Sequence, residues 1–271
     1  MSSAAAMIKE PGSASAMGRL SARNMIAIAS GKGGVGKTWF AISLSQAFAR
    51  HKLRTLLFDG DLGLANVDIQ LGLAPTRDLG AVMDGKATMR TATTHFEPGN
   101  FDIVAGRSGS GSLATLPTPR LSGLVDDLVS HGDAYHRVIV DLGAGIDRTV
   151  RTLAERAATV LVVTTEEPTA LTDAYAFIKV MHSMRPETDL RVVVNMAHSL
   201  REGERTYGTL QKACQNFLKM SPPLAGIIRT DRQVRDAIRH QTPLLVRSPN
   251  SDAAMDVEAI ARGLVGPLGR P

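Results

Sequence analysis

Apolar residues fall in short, near-continuous runs, separated by stretches in which they recur every three or four positions. The runs MIAIAS (25–30), RTLLFD (54–59), FDIVAG (101–106), HRVIVDLGAG (136–145), ATVLVVTT (158–165), LRVVVN (190–195) and PLAGII (223–228) have strand length. They lack the alternation of a sheet with one wet face. Helical spacing marks 37–50, 121–130, 148–157, 170–184, 204–219, 232–239 and 253–264. In the first of these, Phe40, Ile42, Leu44, Ala47 and Phe48 supply the apolar positions. Strands apolar on both faces and alternating with helices predict a mainly parallel sheet with helices on both sides, an α/β fold of three layers in a single domain. That domain is expected over 24–265. A tail at 1–23, rich in Ser, Ala, Gly and Met and broken by Pro11, precedes it, and a short tail at 266–271 follows. Residues 58–73 mix glycine, aspartate and leucine and predict a functional loop with a short helix, and SGSGS (108–112) reads as a loop. No internal repeat is present.

Between the first strand and the first helix stands GKGGVGKT (31–38). It fits G-x-x-x-x-G-K-[ST] in the strand–loop–helix setting that gives the pattern its meaning. Gly31, Gly33, Gly34 and Gly36 let the loop's backbone N–H groups, those of Lys32 and Val35 included, converge on phosphate oxygens without Cβ clashes. The following helix adds the positive end of its dipole. Lys37 supplies a charge for the outer phosphates, and the Thr38 hydroxyl is a ligand for Mg²⁺. Hydrolysis further needs a group that orients water in line with the γ-phosphate. Asp59 and Asp61 close the second strand, and Asp141 ends the run at 138–140, where a carboxylate holds Mg²⁺ through water. The LGAG turn (142–145) offers N–H groups to the γ-phosphate and can change shape when it leaves.

Composition narrows this only modestly. Of 271 residues, 44% are hydrophobic and 21% charged, which excludes disorder throughout. Aromatics make up 4%, with one Trp, too few for a protein that stacks bases of single-stranded nucleic acid. The single cysteine, Cys214, excludes an internal disulfide framework and a cysteine-based zinc site; it is expected as a small, partly buried side chain on a helix. No apolar run approaches the ~20 residues of a membrane-spanning helix. The first residues lack the apolar stretch of a secretory signal, so a cytoplasmic location is expected. A net charge of +5 permits an acidic partner without requiring one. Arg232, Arg235 and Arg239 share a helix face, with Arg229 before them and Arg247 after. They form either a phosphate-contacting stripe for non-specific DNA or a solvated face balanced by Asp231 and Asp236.

The second lysine of the loop, Lys32, turns the motif into the deviant form K-G-G-x-G-K-T. On these residues the chain resembles the MinD/ParA family of dimerising P-loop ATPases. The resemblance implies ATP and Mg²⁺ as ligands, slow and partner-stimulated hydrolysis, and a homodimer formed through ATP, in which Lys32 reaches the partner's phosphates. It assigns catalysis to Lys32, Lys37 and Asp61, with Asp61 contacting the attacking water. It assigns the metal to Thr38, Asp59 and Asp141, and nucleotide contacts to residues 31–38, Gly145, Asn195, Ile228 and Asp231. Asn195 would hydrogen-bond adenine, and Ile228 to Asp231 would form the second base-contacting loop. Asp68 falls in the same switch segment. Two positions depart from the family pattern: Gly143 stands where D-x-P-A-G has proline, and Arg229 where relatives commonly have proline.

Further segments narrow the resemblance. DGDLGLANVDIQLGL (59–73), EPTALTDAY (167–175) and the run 231–243 with Val234, Ala237, Ile238 and Gln241 are similar to the FlhG/FleN subgroup of flagellar regulators. This implies a nucleotide switch that positions or counts the flagellum, working with an activating or cargo protein among flagellar components. The alternatives are a ParA-like, DNA-riding partition ATPase, a MinD-like division-site regulator, or a regulator that holds ATP and hardly hydrolyses it. The start of the chain lacks the Asp-Gln-Ala motif found in that subgroup. Its end (256–271) has no bulky aromatic and is broken by Gly263, Gly266 and Pro267, so direct membrane binding through it is not expected. The implied location is cytoplasmic, polar or in transient association with membrane or nucleoid.

Overall fold

The computed structural model describes residues 22–106 and 116–265. Its strands are β1 (Ala22–Ser30), β2 (Thr55–Gly60), β3 (Thr93–Phe96), β4 (Phe101–Val104), β5 (Arg137–Ala144), β6 (Ala157–Thr164), β7 (Asp189–Ala197) and β8 (Leu224–Arg229). The longer helices are α1 (Lys37–Arg50), α5 (Thr118–Gly132), α6 (Arg148–Ala154), α7 (Pro168–Met184), α8 (Leu200–Leu218), α9 (Arg232–Arg239) and α11 (Asp252–Val265). Short ones are α2 (Val67–Leu71), α3 (Leu79–Met83), α4 (Met89–Ala92) and α10 (Leu244–Arg247).

One sheet forms in the order β3-β4-β2-β5-β1-β6-β7-β8, all parallel except β3, which runs antiparallel to β4. Burial on both faces explains the continuous apolar runs. Along β1, Ala27 and Ala29 face one core, with Leu128 and Phe177, while Ile26 and Ile28 face the other, with Phe40 and Phe48. The three-layer α/β arrangement expected from the sequence is therefore present. β1 lies between β5 and β6. The chain crosses to β2 on one side and later to β6 on the other, so the carboxyl end of β1 is a switch point where such sheets bind ligands.

Some features differ from expectation. β1 begins at Ala22, inside the expected tail, because the Ala22 N–H donates to the Arg156 carbonyl at 2.8 Å beside β6. β3 was not expected: its sequence TTHF is short, polar and largely exposed, as suits an edge strand. Helices α3, α4 and α10 are too short to show a period. Cys214 is fully rather than partly buried, and burial pushes its thiol up to about 11. The expected loop at 108–112, the segment 1–21 and the tail at 266–271 lie outside the described residues. Among the described residues no helix is long and apolar enough to cross a membrane.

Candidate nucleotide site

The loop after β1 is shaped by glycine at the position before α1. Gly36 has φ 89°, and a Cβ there would lie 2.4 Å from Asn195 Nδ2, so a side chain is excluded on two counts. Gly36 caps α1 with no side-chain hydrogen bond, and the first turn holds no acidic residue. Its N–H groups and dipole are thus left to an anionic ligand. Lys37 is buried, and its Nζ donates to Ser30 Oγ at 2.9 Å. Ser30 Oγ in turn donates to the Lys32 carbonyl at 2.6 Å. Burial lowers the Lys37 pKa, and the nearby charges of Asp141 and Asp61 work against that shift.

The carboxylates are brought together by sheet register, since Asp59 pairs with Asp141 across β2 and β5. Both are buried. Burial, with the charge of Asp141 next in weight, pushes Asp59 up to about 8, while the N–H groups of Val67 and Asp61 hold it down. Burial pushes Asp141 up to about 7 against a hydrogen bond from Thr38 and the charge of Lys37. Asp141 Oδ1 has no hydrogen-bond partner among the described residues. Two buried carboxylates, one with an orphaned oxygen, beside a threonine hydroxyl form a hard oxygen donor set that fits Mg²⁺. Among the described residues there is no group of three or more His, Cys, Asp or Glu able to cage a metal. The remaining ligands then fall to water and phosphate, as is usual for Mg²⁺.

Asp61 is half-buried, and its Oδ1 accepts the N–H groups of Gly63 at 3.3 Å and Leu64 at 2.9 Å. It lies against the carboxyl end of β5, where a Cβ on Gly143 would sit 3.4 Å from its carboxylate. Gly145, at φ 92°, donates its N–H to the Ser30 carbonyl at 2.9 Å. Asp59 also accepts the N–H groups of Asn66 and Val67, each at 3.2 Å, and so ties the segment that carries Asp68 to the metal-type carboxylates.

A cavity of about 350 Å³ adjoins the loop, lined in part by Gly36, Trp39, Asn195, Met196, Ile228 and Asp231. Asn195 is buried; its Nδ2 donates to the Val35 carbonyl at 2.8 Å, and its Oδ1 accepts the Met196 N–H at 2.9 Å. It therefore braces the phosphate loop as well as lining the cavity. Asp231 accepts the N–H of Gln233 at 2.9 Å, capping α9, and the N–H of Ala253 at 3.2 Å. Ile228 is a buried wall. Arg229 is engaged by α11: Asp256 accepts from its Nε at 2.9 Å, and Asp252 pairs with it at 2.7 Å. Its pKa is raised accordingly, first by the hydrogen bond it donates to Asp256. This removes Arg229 from the arginine stripe, whereas Arg232, Arg235 and Arg239 are exposed.

Lys32 lies on its own chain. Its Nζ donates to Glu167 Oε2 at 2.5 Å and to Thr169 Oγ1 at 2.9 Å, at the start of α7. Gly36, Asn195, Ile228 and Asp231 line one cavity, while Asp59 and Asp141 are paired in register and Asp141 and Asp61 lie within charge range of Lys37. Sequence reasoning missed Ser30 and Glu167 as partners of the two loop lysines. Glu167 is 135 positions from Lys32, beyond the reach of any local pattern.

The family model described as CbiA, the CobQ/CobB/MinD/ParA nucleotide binding domain, matches residues 26–244, which hold the loop, Asp59, Asp61 and Asp141. The chain belongs to this family. It is 37% identical over 246 residues to the antiactivator FleN of Pseudomonas aeruginosa, covering 91% of this chain and 88% of that one. It is 31% identical over 244 residues to the flagellum site-determining protein YlxH of Helicobacter pylori, covering 90% and 82%. The septum site-determining protein MinD of Pyrococcus horikoshii, solved with Mg-ADP, superposes with a TM-score of 0.75 at 25% identity, covering 91% of this chain and 98% of that one. The chain is a P-loop ATPase that takes ATP and Mg²⁺.

Proposed function

We propose that this ATPase is a nucleotide switch that counts or positions the flagellum, and that its active state is an ATP-bound homodimer. The observation that carries the reading is the tie between Asp59 and the segment after β2. That carboxylate, which this reading assigns to the metal, accepts the N–H groups of Asn66 and Val67. The same segment exposes Leu64 at 72% and Ile69 at 55%, apolar side chains suited to a partner protein. Nucleotide state and partner surface thus share one short stretch. The sequence likeness to FleN and YlxH, both named for flagellar roles, supports the cargo.

In this scheme Lys37 holds the outer phosphates, and Thr38, Asp59 and Asp141 hold Mg²⁺, which neutralises phosphate charge when bound. Asp61 orients the attacking water. The Gly145 N–H leaves the Ser30 carbonyl for the γ-phosphate, and Lys32 exchanges Glu167 for phosphates of the partner copy. Asn195, Ile228 and Asp231 contact the base. The working unit spans 24–265 and acts in the cytoplasm, at or near the pole. The test is a count of flagella in a strain carrying Lys37→Ala in place of the native chain. Altered number or placement is expected; normal flagella with misplaced septa would favour a division-site role instead.

A second reading, riding on DNA, is favoured by one observation. Arg232, Arg235 and Arg239, at helical spacing along α9, are all exposed. DNA retention that needs ATP, falls with salt and is lost on neutralising these arginines would support it.

A further inference from the structure

The phosphate half of the crevice is charged, whereas the adjoining cavity is apolar: Trp39, Met196, Ile228, Val234 and Ile238 line it. Trp39 follows Thr38 directly, so the first turn of α1 carries the phosphate grip and the cavity wall together. It is 6% exposed and is the one aromatic residue lining that cavity among the described residues. Its indole N–H is buried and has no acceptor among the described residues.

We propose that Trp39 is the base-reading contact of this ATPase: its indole forms the wall against which the nucleobase lies. The apolar half of the crevice then separates a nucleotide from a bare polyphosphate, which the glycine loop and Lys37 would grip equally well. The inference rests on the Mg-ATP reading of the site and adds to it the residue that recognises the base. A flat heteroaromatic ring gains about tenfold or more in affinity from contact with an aromatic side chain.

Because Trp39 is the only tryptophan of the chain, emission excited selectively from tryptophan reports on it alone. Titration with Mg-ATP should change the emission to saturation, and titration with Mg-tripolyphosphate should leave it nearly unchanged. By calorimetry, Trp39→Thr should weaken ATP about tenfold and leave tripolyphosphate as in the native chain, with Trp39→Phe in between. Emission that stays constant while calorimetry records ATP binding would overturn the proposal. So would equal losses for ATP and tripolyphosphate in Trp39→Thr, since a merely structural role predicts that. Absence of heat with either ligand in the native chain would overturn the Mg-ATP reading as well. If Trp39→Thr does not fold, the native emission and the Trp39→Phe variant decide.

Discussion

The two ends of the sheet carry charges in opposite ways. At the amino ends of β2 and β4 a cavity of about 400 Å³ is lined by Lys52, Arg54, His95 and Asp102, among others. It is larger than the cavity beside the phosphate loop, yet its Asp102, His95 and Arg54 each have a partner. Asp102 takes His95 Nδ1 at 2.7 Å on one oxygen and the Tyr135 hydroxyl at 2.9 Å on the other. The Arg54 guanidinium stacks 4.7 Å from the Tyr135 ring. Burial and the hydrogen bond to Asp102 push the Tyr135 hydroxyl up to about 12, so it stays protonated. At the carboxyl end, Asp59, Asp141 and Lys37 are buried with their pKa values displaced toward the neutral forms, and an Asp141 oxygen lacks a partner. Buried charges without full pairing cost several kcal/mol each. A fold keeps them where a ligand offsets that cost. Incomplete pairing under burial, and not cavity size, marks the working end.

The largest contrast between the ends should come from removing one cation at each. Lys37→Ala should weaken Mg-ATP about a hundredfold or more by calorimetry, since a buried charge partner is lost. Arg54→Ala should leave the affinity within about twofold. An equal loss from both would erase the distinction.

Next comes pH. Asp59 and Asp141 have folded-state pKa values raised to about 8 and about 7, above their unfolded values. Between an unfolded pKa near 4 and those values the folded state holds more protons. Stability of the nucleotide-free protein should therefore fall as pH rises through that window, by up to about 1.4 kcal/mol per pH unit per group. Denaturant melts at pH 5, 6.5 and 8 would read this, and Asp59→Asn should flatten the profile. Stability that rises over the same range would contradict the buried, partly protonated pair.

Smaller effects sharpen the boundary. Lys32 and Glu167 form an exposed ion pair, so Lys32→Ala should cost less than about 1 kcal/mol of stability while keeping ATP binding and losing the dimer. His95→Ala, at the opposite end, should change stability by about 1 kcal/mol or less and nucleotide binding not at all.

What could be read from the chain tracks how local each feature is. Gly36, Lys37 and Thr38 are contiguous, and the turn, the helix end and the phosphate chemistry all follow from their order. Asp59 and Asp141 end apolar runs, and parallel register brings them side by side. Asn195 was legible as a strand-end asparagine, but its brace on the Val35 carbonyl joins residues 160 apart and had no local signal. Arg229 looked like part of a cationic stripe until α11 supplied Asp252 and Asp256 as its partners. β3 carried too few apolar residues to register, being an exposed edge.

In the proposed switch, ATP held in this crevice joins two copies until Asp61 lets water cleave it. Light scattering of the Asp61→Ala variant with Mg-ATP decides whether it does. A stable dimer that reverts to monomer with ADP is the predicted result, and a monomer in the presence of bound ATP would contradict it.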